Sequence, residues 1–175
     1  MKGEIDLLLS VIDDAYSGKS WQGPNLKGSL RGLSAEEAAW RPRPGRHNIW
    51  ELVLHAAYWK YTVKRKLLNE KRGSFPCKGS NWYVRPQKLT TAAWKEDQRL
   101  LDEIHQDFRQ VVASLNPRAL DRKLAGSRYK CAKFIYGVAA HDIYHTGQIT
   151  LIKRLIQSET GDVKLVKSRS KDSAV

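Results

Sequence analysis

The sequence predicts an all-α protein, a single-domain four-helix bundle. Three observations predict it: four stretches repeat apolar residues at three- and four-residue spacing, no stretch alternates convincingly as a strand would, and long Gly- and Pro-rich connections separate the periodic stretches. A chain of 175 residues can build one real core, and 41% hydrophobic content with six Trp and seven Tyr excludes a disordered composition.

The first helix spans residues 4–16, with Ile5, Leu8, Leu9, Ile12 and Tyr16 on one face and Gly18 after its end. A long connection follows, residues 17–47. Within it Ser34-Ala35-Glu36-Glu37 forms a capping box, so a short helix is expected over about 35–40. Pro42 and Pro44 then hold the chain extended. Asn48, with Glu51 three residues on, opens the second long helix. Its stripe is Ile49, Leu52, Val53, Ala56, Val63 and Leu67, and it fades near Lys71-Arg72-Gly73. A neighbouring line of Leu52, His55, Trp59 and Thr62 puts His55 at or beside the buried face.

A second long connection covers residues 73–89. Extended, its 17 residues reach about 55 Å, more than the about 36 Å of the preceding helix, so it can cross the whole bundle. Thr90 or Thr91 caps the third long helix, whose face carries Trp94, Gln98, Leu101, Ile104, His105, Phe108, Val111, Val112 and Leu115 until Pro117. A polar link over 116–130 leads to the fourth, residues 131–157. The bundle thus takes residues 1–157, and the polar, basic segment 158–175 reads as a flexible tail.

The fourth helix carries the chemistry. Phe134, Val138, His141, His145, Gln148, Ile152 and Leu155 repeat as an inward seam. An ordinary seam is aliphatic throughout, whereas this one holds two imidazoles and an amide. Four residues apart, His141 and His145 lie on one face and can aim at a single point. A buried polar group left unpaired costs about 1–3 kcal/mol, so a metal ion is the leading explanation. His55, from a facing helix, is the third candidate ligand. Three neutral imidazoles suit Zn or Ni and leave a position open for water or substrate. With no carboxylate evident beside them, the full metal charge would act on a bound water or thiol.

Gln148, Trp59 and Tyr58 are candidate pocket residues or partners of the ligands. His105 reads as a core histidine with a hydrogen-bond partner and His47 as a loop-packing residue, while Asp142 points about 100° away from His141 on the helix. Phosphate-cradling loops, a nucleophile motif and the HEXXH pattern are all absent. Cys77 and Cys131, the two cysteines, read as free thiols.

The formal net charge is +13, and it is uneven: Lys60 to Lys88 holds nine basic residues against one acid, Glu70. Such a field attracts anionic small molecules or nucleic acid. No apolar run reaches the length of a membrane span, and the acids in Met1–Asp6 do not fit a signal peptide, which implies a cytoplasmic protein.

Two segments, WELVLHAAYW (Trp50 to Trp59) and GVAAHDIYHTGQI (Gly137 to Ile149), resemble the signature segments of the DinB/YfiT-like superfamily of metal-dependent proteins. WQGPNL, GLSAEEAAWRPRPGRHNIWE and the Tyr129 region are similar to its corresponding stretches. The resemblance covers roughly residues 4–157. It implies an up-down-down-up bundle and a metal on His55, His141 and His145. It further implies metal-dependent transfer or isomerisation with a low-molecular-weight thiol such as bacillithiol or mycothiol, and a homodimer. The basic 60–88 segment is no trait of that pattern. Two functions are therefore expected to compete. One is a divalent-metal-dependent enzyme, a thiol transferase or hydrolase. The other is a basic nucleic-acid-binding or stress-response protein, with Phe75, Trp82 and Tyr83 interleaved among the charges.

Overall fold

The computed structural model describes residues 3–71, 73, 75–79 and 81–172. Its helices are α1 (Glu4–Tyr16), α2 (Leu26–Ser29), α3 (Ala35–Ala39), α4 (Ile49–Leu67), α5 (Thr91–Ala113) and α6 (Cys131–Asp172), with a 3-10 turn at Pro117–Asp121. Among the described residues there is no strand, only an isolated bridge between Lys123 and Lys130.

Side-chain caps start the helices. Asn48 accepts from the Glu51 amide at 2.8 Å, Ser34 from Glu37 at 3.1 Å and Thr90 from Ala93 at 3.2 Å. Each satisfies an amide with no partner inside the helix, a contribution of about 1 kcal/mol. The one-turn helix α2 is a feature the sequence reading passed over. Its signal is Asn25, which accepts from the Gly28 amide at 2.7 Å. A β-carbon at Gly28 would lie 2.8 Å from that same Asn25 oxygen.

Cross-links fix the helix directions. Trp50 donates to Asp97 at 2.6 Å and Lys64 pairs with Asp107 at 3.0 Å, so α4 and α5 run parallel. Asp13 holds Arg109 at 2.7 Å and Tyr16 stacks on His105, so α1 opposes α5. His55 meets His141 while Lys66 lies over the Phe134 ring, so α6 opposes α4. The order is up-down-down-up. The connection between the parallel pair does traverse the bundle, as its length allows.

Boundaries differ in places. α4 stops at Leu67, not near 71, because Asn69 turns to a left-handed φ of 56°. α6 continues to Asp172, past the expected end at 157.

The core has two apolar clusters, one around Trp50, Trp94, Ile149 and Ile152, the other around Ile12, Phe108 and Ile135. Between them on their helices fall Lys60, His105 and Asp142, all buried. The seam expected on α6 needs a correction. The buried face is Cys131, Ile135, Val138, Ala139, Asp142, His145, Thr146, Ile149, Ile152 and Ile156, which keeps Val138, His145 and Ile152 of the expected seam, whereas Leu155 is exposed and Phe134, His141 and Gln148 are only partly covered. His145 is thus buried at the edge of this stripe and His141 lies on its flank, where a site can open to solvent.

Candidate metal centre

Two helices and one loop assemble the centre. His55 comes from α4 and His141 and His145 from successive turns of α6. The antiparallel packing brings the three side chains together, their rings edge-on or tilted to one another. Their ligand nitrogens all lie within 4.8 Å of one another. His141 Nε2 is 3.1 Å from His55 Nε2 and 3.0 Å from His145 Nε2. Three nitrogens around a tetrahedral Zn ion, each about 2.0–2.1 Å from it, would be about 3.4 Å apart, close to these two separations.

The far nitrogens fix which lone pairs face inward. His55 Nδ1 donates to the Asn81 carbonyl at 2.8 Å, and His145 Nδ1 donates to Gln148 Oε1 at 2.6 Å. Both rings then present unprotonated Nε2 atoms to His141 Nε2. That atom carries at most one proton, and one proton cannot satisfy two lone pairs at once. A cation at the centre satisfies all three. The donor set therefore fits a divalent ion, as outer hydrogen bonds that orient imidazoles commonly do in metal sites.

The electrostatics agree. Burial holds the His55 pKa below the ordinary histidine value. Burial, then the neighbouring His145 and His55, takes His141 down to about 3. Burial takes His145 down to about 4 against the opposing Gln148 hydrogen bond. Neutral imidazoles are the ligating form.

The connection between α4 and α5 walls the site. Trp82 lies between two imidazoles, with ring centroids 3.8 Å from His55 and 3.6 Å from His47, both nearly parallel stacks. Asn81 adopts a left-handed φ of 62°, which aims its carbonyl at His55 while its side chain accepts from Trp59 Nε1 at 2.9 Å. Neither residue was singled out as a site residue by sequence reasoning. A backbone carbonyl has no sequence signature, and Trp82 stood out only as a possible base-stacking residue.

Two cavities reach the imidazoles. One of about 860 Å³ touches His145 and runs along α6, with Leu52, Trp82, Ile152 and Leu155 as apolar walls and Arg43, Arg46 and His47 on its polar side. The other, about 190 Å³, reaches His141 between Trp59, Phe134 and Val138.

The remaining candidates sort themselves by place. Gln148 is in contact with His145, as described. Trp59 lies edge-on to both His55 and His141. Tyr58 does not face the imidazoles; it packs on Phe75 and Tyr83 and lines a different cavity. His105 is buried away from the centre. It stacks on Tyr16, and its Nδ1 has no hydrogen-bond partner, contrary to the partner expected. His47 bonds Glu51 at 3.0 Å and lines the large cavity. Asp142 points away from the cluster into the core, where it pairs with the fully buried Lys60. Burial pushes the Lys60 pKa down and that of Asp142 up, and their mutual attraction opposes both shifts.

The sequence profile of the DinB superfamily matches residues 21–149, which include all three imidazoles. No curated protein and no solved structure matches the chain. Among the described residues no helix is long and apolar enough to cross a membrane.

Proposed function

The chain belongs to the DinB superfamily, and on that premise we propose that it is a metal-dependent enzyme whose His55, His141 and His145 hold one divalent ion, Zn or Ni. The observation that carries this reading is the convergence of three Nε2 atoms, two with their far nitrogens already committed as donors. A bound divalent ion supplies Lewis acidity, lowering the pKa of a coordinated water or thiol.

The protein's own residues do the rest. Asn81 and Gln148 hold two rings in the ligating tautomer. Trp82 covers His55 and keeps water from that side. The large cavity admits a substrate up to His145, and Arg43 and Arg46 draw an anionic group toward it. Tyr144 accepts from Gln148 and keeps its own proton free to donate into the cavity. Three protein ligands leave a coordination position open, the pattern of a catalytic site. The reactions that suit it are transfer of a low-molecular-weight thiol to an electrophile, or hydrolysis, in a cytoplasmic homodimer. The outer face of α6 supports the dimer, since it exposes Tyr136, Ile143, Tyr144 and Leu151.

The nucleic-acid alternative loses support at its aromatic residues. Trp82 is enclosed between imidazoles and Tyr83 is buried, so neither is free to stack on bases. The enzyme reading is tested by loading the protein with Zn or Ni and following thiol consumption with monochlorobimane and hydrolysis of p-nitrophenyl acetate. Wild type is expected to accelerate one of these and His141→Ala to lose it. Equal rates in both proteins would refute the reading.

A further inference from the structure

A third cavity, about 620 Å³, lies on a different face of α4 and has no part in the imidazole cluster. Its floor is the α4 line Tyr58, Tyr61, Thr62, Arg65 and Lys66, continued past the helix end by Asn69. In a plain bundle this outward face would be bare. Here residues of the basic connection, Gly73, Phe75, Cys77, Lys78 and Gly79, roof it over. The backbone comes close: a β-carbon on Gly73 would lie 2.6 Å from the Tyr61 hydroxyl.

The charges in this cavity differ from those around it. Elsewhere on the same stretch Lys60 pairs with Asp142, Lys64 with Asp107 and Arg85 with Asp97. Arg65, Lys66 and Lys78 have no ion pair among the described residues, and Glu70 is the one acid in the lining. Arg65 is held in place by neutral acceptors, the carbonyls of Lys71 at 3.2 Å and Glu70 at 3.4 Å, and lies over the Tyr61 ring. Its charge is thus oriented and left uncompensated. Around it are hydroxyl donors on Tyr58, Tyr61 and Thr62 and the Asn69 amide. Behind the wall, Tyr83 packs on Tyr58 and Phe75, and its buried hydroxyl has no partner.

We propose that this cavity binds the phosphate group of a small phosphomonoester, with Arg65 and Lys78 as the principal charge contacts and Tyr58 and Tyr61 as hydroxyl donors. An oriented guanidinium with hydroxyl donors is the donor set that phosphate oxygens take. The volume is within the range of small-molecule pockets and exceeds what phosphate alone would fill, so the group comes with an organic body that the Tyr58, Tyr61 and Phe75 rings can cover. The concave, roofed shape favours a small ligand over a nucleic-acid duplex. The proposal does not depend on a metal at the imidazoles.

The test is calorimetric titration of the full-length protein with phenyl phosphate, with phenol and inorganic phosphate as companions. The expected result is saturable binding of one phenyl phosphate per chain, competition by inorganic phosphate and no binding of phenol. Arg65→Gln/Lys78→Gln should weaken binding at least about tenfold, the loss of charge-assisted hydrogen bonds. Lys78→Glu, on the exposed connection, should do the same without touching the helix. Chelator treatment and Arg43→Gln/Arg46→Gln should leave binding unchanged. Absence of saturable binding would overturn the proposal, as would equal affinity in the Lys78→Glu variant. Tight binding of mixed-sequence DNA that inorganic phosphate fails to displace would overturn it too.

Discussion

His141 and Asp142 are adjacent in sequence and lead to opposite arrangements. Asp142 points into the core and meets Lys60 of α4, and both side chains are sealed from water. His141 points to the flank of the same helix pair and meets His55 of α4, beside a cavity. The first cluster is closed: a cation and an anion satisfy each other. The second is open: three neutral nitrogens face one another with no opposite charge among them. A self-satisfied buried pair ties α4 to α6, while an unsatisfied set next to it is prepared for something from outside. Neighbouring positions on one helix thus divide scaffold from site.

The largest expected effect breaks the closed side. Asp142→Ala strands the Lys60 ammonium in the core and should lower unfolding free energy in urea by about 3–5 kcal/mol. Lys60→Met/Asp142→Leu should recover most of that loss, since removing both charges removes the desolvation penalty as well. A single variant as stable as wild type would show the pair contributes nothing.

Next comes the open side. Zn at a hundredfold excess over its Kd should stabilise wild type by about 2.7 kcal/mol against unfolding, and His141→Ala should gain almost nothing. Without metal, His141→Ala should be no less stable than wild type. Loss of Zn stabilisation in neither protein would place the metal elsewhere. Smaller still, Gln148→Ala frees the His145 ring and should weaken Zn affinity about 10–100-fold in a chelator competition, while leaving metal-free stability alone. Unchanged affinity would remove Gln148 from the site.

The effect that is smallest near neutral pH, and that grows on acidification, is on acid stability. His105 is buried, and burial first, then Lys60, Arg109 and Lys27, takes its pKa down to about 3. Unfolded, it returns to the ordinary value of about 6.5 and binds a proton that the folded form refuses. Its contribution is therefore intact above pH 6.5 and falls away as pH drops toward 3, by about 1.4 kcal/mol per pH unit. His105→Leu should show a shallower decline over that window in urea unfolding. Parallel curves for the two proteins would contradict the assignment.

The same comparison explains what could be read from the chain. The four long helices and the three imidazoles followed from spacing, because apolar periodicity and a four-residue His repeat record which face a residue occupies, whereas the length of the connection over 73–89 only allowed it to cross the bundle. The Lys60–Asp142 pair was missed although its signal was present. Lys60 fills the gap between Ala56 and Val63 in an otherwise apolar stripe, and Asp142 fills the gap between Ala139 and Thr146. Residue type argued for solvent, position argued for core, and position won. The α6 seam was drawn along the histidines because they stood out, so it shares Val138, His145 and Ile152 with the core stripe but also takes in the exposed Leu155 and the half-covered His141 and Gln148. Asn81 could not be read at all, since its part in the site is played by a main-chain carbonyl. Tyr58, a candidate pocket residue, lines the cavity on another face of α4, since sequence proximity to His55 does not distinguish two faces of one helix.

The most direct test of the central claim is metal content. Protein purified without a histidine tag, loaded with Zn and desalted, should carry one ion per chain by elemental analysis, and His141→Ala/His145→Ala should carry none. One ion per chain in both proteins, or none in wild type, would contradict an ion held by His55, His141 and His145.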